Sequence, residues 1–129
     1  MSTGTSITIT GAIETAASFT RASAALRMTS RQAVEVSARR IKEDARRRIS
    51  GHPHLPHYPH SITYDLRSSA AGPWAEIGPD KSRTQGPLGN VIEFGTRNNA
   101  PIPHIGPAFE AGVPDFVHGM TRAVTDATR

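Results

Sequence analysis

The sequence predicts an α+β fold: a long N-terminal helix packs on a small antiparallel sheet of three to four strands, and a C-terminal helix completes the chain. Three observations predict it. Residues 12–50 contain neither Gly nor Pro and are rich in Ala and Arg, with Glu and Leu among them, all good helix formers. Ser61-Ile62-Thr63-Tyr64-Asp65-Leu66 puts Ile62, Tyr64 and Leu66 at the two-residue period of a half-buried strand. From Pro107 onward, Phe109, Val113, Phe116 or Val117, Met120 and Val124 form an apolar stripe at helical spacing.

Ile7-Thr8-Ile9-Thr10 alternates apolar and β-branched polar residues, so residues 1–11 read as an N-terminal arm with a short edge strand closed by Gly11. The long helix then spans 12–50. Phe19, Leu26, Val34, Ile41 and Ile49 recur at intervals of about seven residues, with Ala22, Ala38 and Ala45 on the same stripe. Met28-Thr29-Ser30 is where the helix could break, because Thr and Ser can cap a second segment. Residues 51–60 are a His/Pro connector, in which Pro53, Pro56 and Pro59 exclude helix and ladder and impose an extended, polyproline-like path.

Residues 61–96 form the antiparallel sheet, with Trp74 to Ile77 as a second strand and Val91-Ile92-Glu93-Phe94 as a third, ended by Gly95. Between them the loop 79–90, rich in Gly, Pro and charge, is long enough to serve in contacts. The C-terminal helix covers 107–127. Pro107 suits its first turn, and Pro114 either splits it in two or kinks it. At 129 residues the chain is one domain, and its apolar share of 36% with only four Phe, two Tyr and one Trp leaves a thin core. Small domains with thin cores draw stability from neighbours, and oligomerisation is one source.

Composition excludes several functions. Without Cys there is no disulfide, zinc thiolate or cysteine nucleophile, which fits synthesis in a reducing compartment. No basic segment followed by an apolar run marks a secretory signal, and no stretch approaches a membrane span, so a soluble protein is expected. The sequence also lacks a phosphate-binding loop and a Gly-x-Ser-x-Gly elbow. Gly86-Pro87-Leu88-Gly89 matches an RNA-binding GxxG by letter only, since it precedes a predicted strand rather than joining helices. The carboxylates of the second half are scattered singly, which gives no acid/base pair. Enzymatic activity and a cofactor are therefore not expected.

Two constellations invite a function. His52, His54, His57 and His60 suggest a metal, but in a polyproline path residues three apart stand roughly 9 Å from one another, too far for imidazoles to share one zinc without a fold-back. The other is basic. Residues 1–50 carry nine Lys or Arg against four Asp or Glu, a net of +5 in a chain of net +4. Arg39, Arg40, Lys42, Arg46, Arg47 and Arg48 form a patch able to meet DNA or an acidic protein surface. Glu35 with Arg39, Glu43 with Arg47 and Asp44 with Arg48 are all spaced i,i+4, as on a solvated helix face, and no aromatic residues interleave to stack bases.

Val91-Ile92-Glu93-Phe94-Gly95-Thr96, a short polar stretch, Pro101, and then Pro107-Ala108 opening a helix resembles the small neck or tail-completion proteins of long-tailed, lambdoid-type bacteriophages, the tail-component family. Glu93, Phe94, Gly95, Thr96, Pro101, Pro107 and Ala108 carry the match. The motif covers about twenty residues, while the order of elements is similar over most of the chain. It departs from the family at Ile102-Pro103-His104, where a Phe usually follows the first proline, and in the connector, where a Thr-Gly-x-Leu-type turn is replaced. The resemblance implies a structural virion protein made in the host bacterial cytoplasm. It would form a homo-oligomeric ring, six-fold by analogy, joining head connector to tail beside other neck and tail proteins and around the DNA channel. Physically, Gly95 permits a tight backbone turn, and Pro101, Pro103 and Pro107 stiffen the segment up to the helix start, which makes a rigid strand-to-helix corner. The alternative is a small nucleic-acid-binding protein using residues 39–48.

Overall fold

The computed structural model describes the backbone of residues 9–128 and the side chains of residues 23–128. Its elements are α1 (Ile9–Ile49), α2 (Tyr58–Ser61), β1 (Ile62–Ser69), β2 (Gly72–Pro79), a 3-10 turn (Gly86–Leu88), α3 (Gly89–Phe94) and α4 (Ile105–Ala127). The class is α+β as the sequence predicts, with a long helix on an antiparallel sheet and a C-terminal helix, but among the described residues the sheet has two strands rather than three or four.

α1 is one unbroken helix of 41 residues, about 60 Å long at 1.5 Å per residue. The break expected at Met28–Ser30 does not occur. Thr29 Oγ1 donates to the Ala25 carbonyl at 2.9 Å and Ser30 Oγ to that of Arg27 at 3.2 Å, so both hydroxyls bond back within the helix instead of capping a new one. Of the expected N-terminal strand, Ile7 and Thr8 lie outside the described residues, while Ile9, Thr10 and Gly11 are helical. Val34, Ala38, Ile41, Ala45 and Ile49 are buried along one stripe, as their spacing predicts. Phe19 and Ala22 of that stripe fall outside the described side chains.

The hairpin is regular. Ile62 pairs with Pro79, Tyr64 with Ile77, Leu66 with Ala75 and Ser69 with Gly72, and Ala70-Ala71 makes the turn. Cross-strand partners share a face, so Ile62, Tyr64, Leu66, Ala75 and Ile77 line the side that packs on α1.

The segment expected as a third strand, Val91–Phe94, is helical and belongs to α3. Val-Ile-Glu-Phe has no polar/apolar alternation to hold a strand register, and the 3-10 turn Gly86–Leu88, with Pro87 in its first positions, starts a helical path just before it. Only Ile92 of this segment is buried in the core. The His/Pro connector is also different from expectation, being compact rather than extended. Leu55, Tyr58 and Pro59 are buried, and Pro59 occupies the first turn of α2, where its missing N–H costs no hydrogen bond. Gln85 pins it: Oε1 accepts from the His57 N–H at 2.9 Å and Nε2 donates to the His54 carbonyl at 3.2 Å. The loop 79–90 is thereby tied back onto the connector.

α4 begins at Ile105, two residues before Pro107, and continues through Pro114 as one helix. It runs antiparallel to α1, since a Cβ on Gly112 would meet Ile41 and one on Gly119 would meet Ala33. The core gathers Ile41, Ala45, Ile49, Leu55, Tyr58, Ile62, Ile92 and Ala108, with one or more residues from each of α1, α2, β1, α3 and α4. Among the described residues, no helix is long and apolar enough to cross a membrane.

Candidate functional site

The motif residues 93–108 form a corner between two helices rather than between a strand and a helix. α3 ends at Gly95, whose φ of 76° lies in the left-handed region. A Cβ there would fall 2.7 Å from the Pro101 nitrogen and 2.8 Å from the Asn99 carbonyl oxygen, so position 95 is closed to a side chain on two counts. Thr96 and Asn99 bridge the turn through backbone bonds of 2.9 and 3.3 Å, and the Ile102 N–H donates to the Ile92 carbonyl at 2.8 Å.

Glu93 locks this corner. Its Oε1 accepts from the backbone N–H of His104 at 3.0 Å and of Ile105 at 2.8 Å, and its Oε2 from that of Gly106 at 3.1 Å. These are N–H donors of the first turn of α4, which have no partner inside the helix, and the carboxylate also lies at the positive end of the helix dipole. Burial by itself would raise the Glu93 pKa, but the three N–H bonds, aided by His104, outweigh it and hold the carboxyl below its ordinary value.

His104 stands beneath. Its Nδ1 faces two acceptors, the Ile102 carbonyl at 2.8 Å and Glu93 Oε1 at 3.1 Å, so Nδ1 carries the hydrogen. With the hydrogen on Nδ1, Nε2 is the acceptor for the Tyr58 hydroxyl at 2.7 Å. Both rings are fully buried, at 0% exposure, and meet edge to face with centroids 5.2 Å apart. Burial first, and then the negative charge of Glu93, push the Tyr58 pKa up to about 12. A Tyr–His–Glu trio of this kind resembles acid/base machinery in composition; here Tyr58 and His104 are buried, Glu93 is mostly so, and their contacts fasten the connector, α3 and α4 together. Sequence reasoning missed Tyr58 and His104. The one available signal was a Glu a dozen residues ahead of a helix start without a Ser, Thr or Asp cap of its own.

The remaining motif residues divide. Ala108 is buried against α1, Pro107 sits in the first turn of α4, and Pro101 and Thr96 are exposed. Phe94 is 76% exposed.

The basic residues of α1 do not gather on one face. Arg46 turns inward, donating through Nε and Nη2 to the Ile62 carbonyl at 2.9 and 2.7 Å and through Nη2 to that of His60 at 3.4 Å. Lys42 Nζ lies 5.5 Å from the centre of the Tyr64 ring. Arg39 reaches Glu35 at 3.4 Å, and its guanidinium pKa is raised by the Tyr64 hydroxyl, with Glu35 and Glu43 adding to it. Arg47 and Arg48 share Asp44 at 2.8 and 3.2 Å, so the expected Glu43–Arg47 pair gives way to an i,i+3 bridge. Arg40 lines a polar groove between α1 and α4 with Asp115, His118 and Arg122. In the connector, the His52 and His54 rings lie tilted with centroids 5.8 Å apart, and no group of three or more His, Asp or Glu among the described residues could hold a metal.

The most distinctive surface is apolar. On α4, Phe109 is 55% and Val117 54% exposed, with Val113 and Val124 exposed beside them. Phe109 and Val113 border a groove whose floor is Val34, Ala38 and Ile41 of α1 and whose other wall is Pro73, Trp74, Ala75 and Ile77 of β2. Its lining includes no charged side chain and only one hydroxyl, that of Ser37. The groove continues past Trp74 to Phe94 and Ile105. No family model, curated protein or solved structure matches the chain.

Proposed function

We propose that the chain is a structural subunit of a bacteriophage neck, a tail-completion or head–tail joining protein that works as one member of a homo-oligomeric ring. The observation that carries this reading is the exposed apolar surface running from Phe94 and Trp74 along Phe109, Val113 and Val117. A small body with a thin core that leaves aromatic rings and two valines of one helix open to water has an interface to fill. The motif supports the same reading: Glu93, Gly95 and Pro101 hold α3 and α4 at a set angle, and ring closure tolerates little angular error. The alternative, a nucleic-acid-binding protein, has less support, because the cations at 39–48 are divided between flanks of α1 and mostly engaged within the chain.

Sedimentation velocity and negative-stain microscopy of the purified chain test the reading. A closed ring of one defined mass, insensitive to added salt, is expected. A monomer throughout the micromolar range, together with DNA binding that weakens steeply with salt, would overturn it in favour of the alternative.

A further inference from the structure

The apolar groove needs an occupant, and α1 supplies one of matching length. Gly112 lies against Ile41 and Gly119 against Ala33, so seven residues along α4 correspond to eight along α1 in the opposite direction. Asp126 and Thr29 border the same polar groove on the far side of the pair. Continued to Ala127, this register brings the end of α4 level with roughly residue 25 of α1. Residues 9–24 of α1 therefore run on beyond α4 as an overhanging helix of about 24 Å.

We propose that this overhang of one copy lies in the apolar groove of the next copy, so that each subunit gives a helix to one neighbour and receives one from the other. This rests on the ring reading above and adds to it the contact that builds the ring. Three observations support it. Along α4 the groove runs from Ile105 to Phe116, about 17 Å, which the overhang is long enough to cover. The stretch of the groove between Val34, Trp74 and Phe116 is uncharged, and residues 9–24 hold only two charged residues, Glu14 and Arg21, with Ile9, Ile13, Ala16 and Phe19 at helical spacing. Because α1 is unbroken, its overhang points away from its own body, and no turn is available to bring it back into its own groove. A different copy is the chain whose groove it can reach.

A contact of this kind joins two different surfaces. It is head-to-tail, and a head-to-tail contact generates a ring when its rotation closes.

Mixing complementary full-length variants tests it. Ile13→Asp with Phe19→Asp spoils the overhang and leaves the groove, and Phe109→Asp with Val113→Asp spoils the groove and leaves the overhang. Trp74→Asp is the substitute should the groove variant lose its helical circular dichroism or melting transition. Each variant alone is expected to be a folded monomer. Mixed one to one they are expected to form a heterodimer and nothing larger, since one intact contact remains per pair. Wild-type rings with variants that also form rings would overturn the inference and leave ring assembly standing, with the groove then taken by another neck protein. Loss of rings in both variants without heterodimers in the mixture would overturn it as well, in favour of a symmetric contact between grooves. A wild-type chain that never assembles would overturn the ring reading together with this one.

Discussion

The two flanks of α4 invert the usual relation between size and burial. The flank on α1 is built from Ala108, Gly112, Gly119, Ala123 and Ala127, while Phe109, Val113, Val117 and Val124 stand a third or more exposed. The difference shows that burial here follows fit rather than hydrophobicity. Small residues let the α4 backbone approach α1 closely along the Ala38–Ala45 stripe, and larger ones would hold the helices apart. Packing α4 the other way round would bury more apolar area but push the helices apart. The helix keeps its small face for its own chain and leaves its large face open to solvent.

Neighbouring positions 112 and 113 put that contrast to its sharpest test. A Cβ on Gly112 would lie 2.7 Å from Ile41 Cγ1, a distance at which something must shift. Gly112→Leu is expected to destabilise the fold by about 3 kcal/mol, as overpacking does, with the melting temperature falling by roughly 10 °C. Val113→Leu, one residue along, is expected to stay within about 0.5 kcal/mol of the parent. Equal losses at the two positions, measured by thermal unfolding, would show that the two flanks do not differ as described.

The next effect concerns what fixes the rotation of α4. Glu93 accepts three N–H groups from the first turn, and a carboxamide has one acceptor oxygen where the carboxylate has two. Glu93→Gln is expected to cost about 2 kcal/mol in urea unfolding at neutral pH. The pH dependence has a definite sign. With the folded Glu93 pKa held below its ordinary 4.5, its contribution is present above that value and is lost as pH falls through the folded one. The glutamine variant should therefore lose less stability than the parent on acidification from about pH 5 to about pH 3. A variant with an unchanged acid slope would remove Glu93 from this account.

These sites also mark what could be read from the sequence. The α1 stripe was legible because Val34, Ile41 and Ile49 are large, apolar and in phase, and the hairpin because Ile62, Tyr64 and Leu66 alternate. The existence of α4 was legible as well. Which side it buries was not, because a hydrophobic pattern gives weight to Phe109 and Val113 and none to Gly112 or Gly119, whose value lies in being small. The third strand failed at Val91–Phe94 since four residues without alternation carry no register, and the Gly-Pro-Leu-Gly start decided for helix. In the connector three prolines suggested an extended path and hid Tyr58, which with Leu55 draws the segment into the core. The basic patch looked continuous because sequence adjacency does not reveal that Arg46 is needed by the carbonyls of His60 and Ile62.

The smallest effect tests whether the corner depends on its deepest layer. Tyr58→Phe keeps the ring and its edge-to-face contact and removes only the hydroxyl that donates to His104 Nε2 at 2.7 Å. The imidazole nitrogen is then buried without a partner, a loss of about 1.5 kcal/mol. Tyr58 also leaves a mark at high pH. Its folded pKa, up to about 12, stands above the ordinary 10.0, so the folded chain keeps a proton that the unfolded chain releases, and stability present below pH 10 is lost as pH rises toward 12. The phenylalanine variant lacks that alkaline loss, so the stabilities of the two chains should converge as pH rises through this range. If they stay parallel, the hydroxyl does not hold the proton as the buried contact requires. The rotation of α4, and with it which flank is left exposed, would then rest on Glu93 and the Gly95 turn alone.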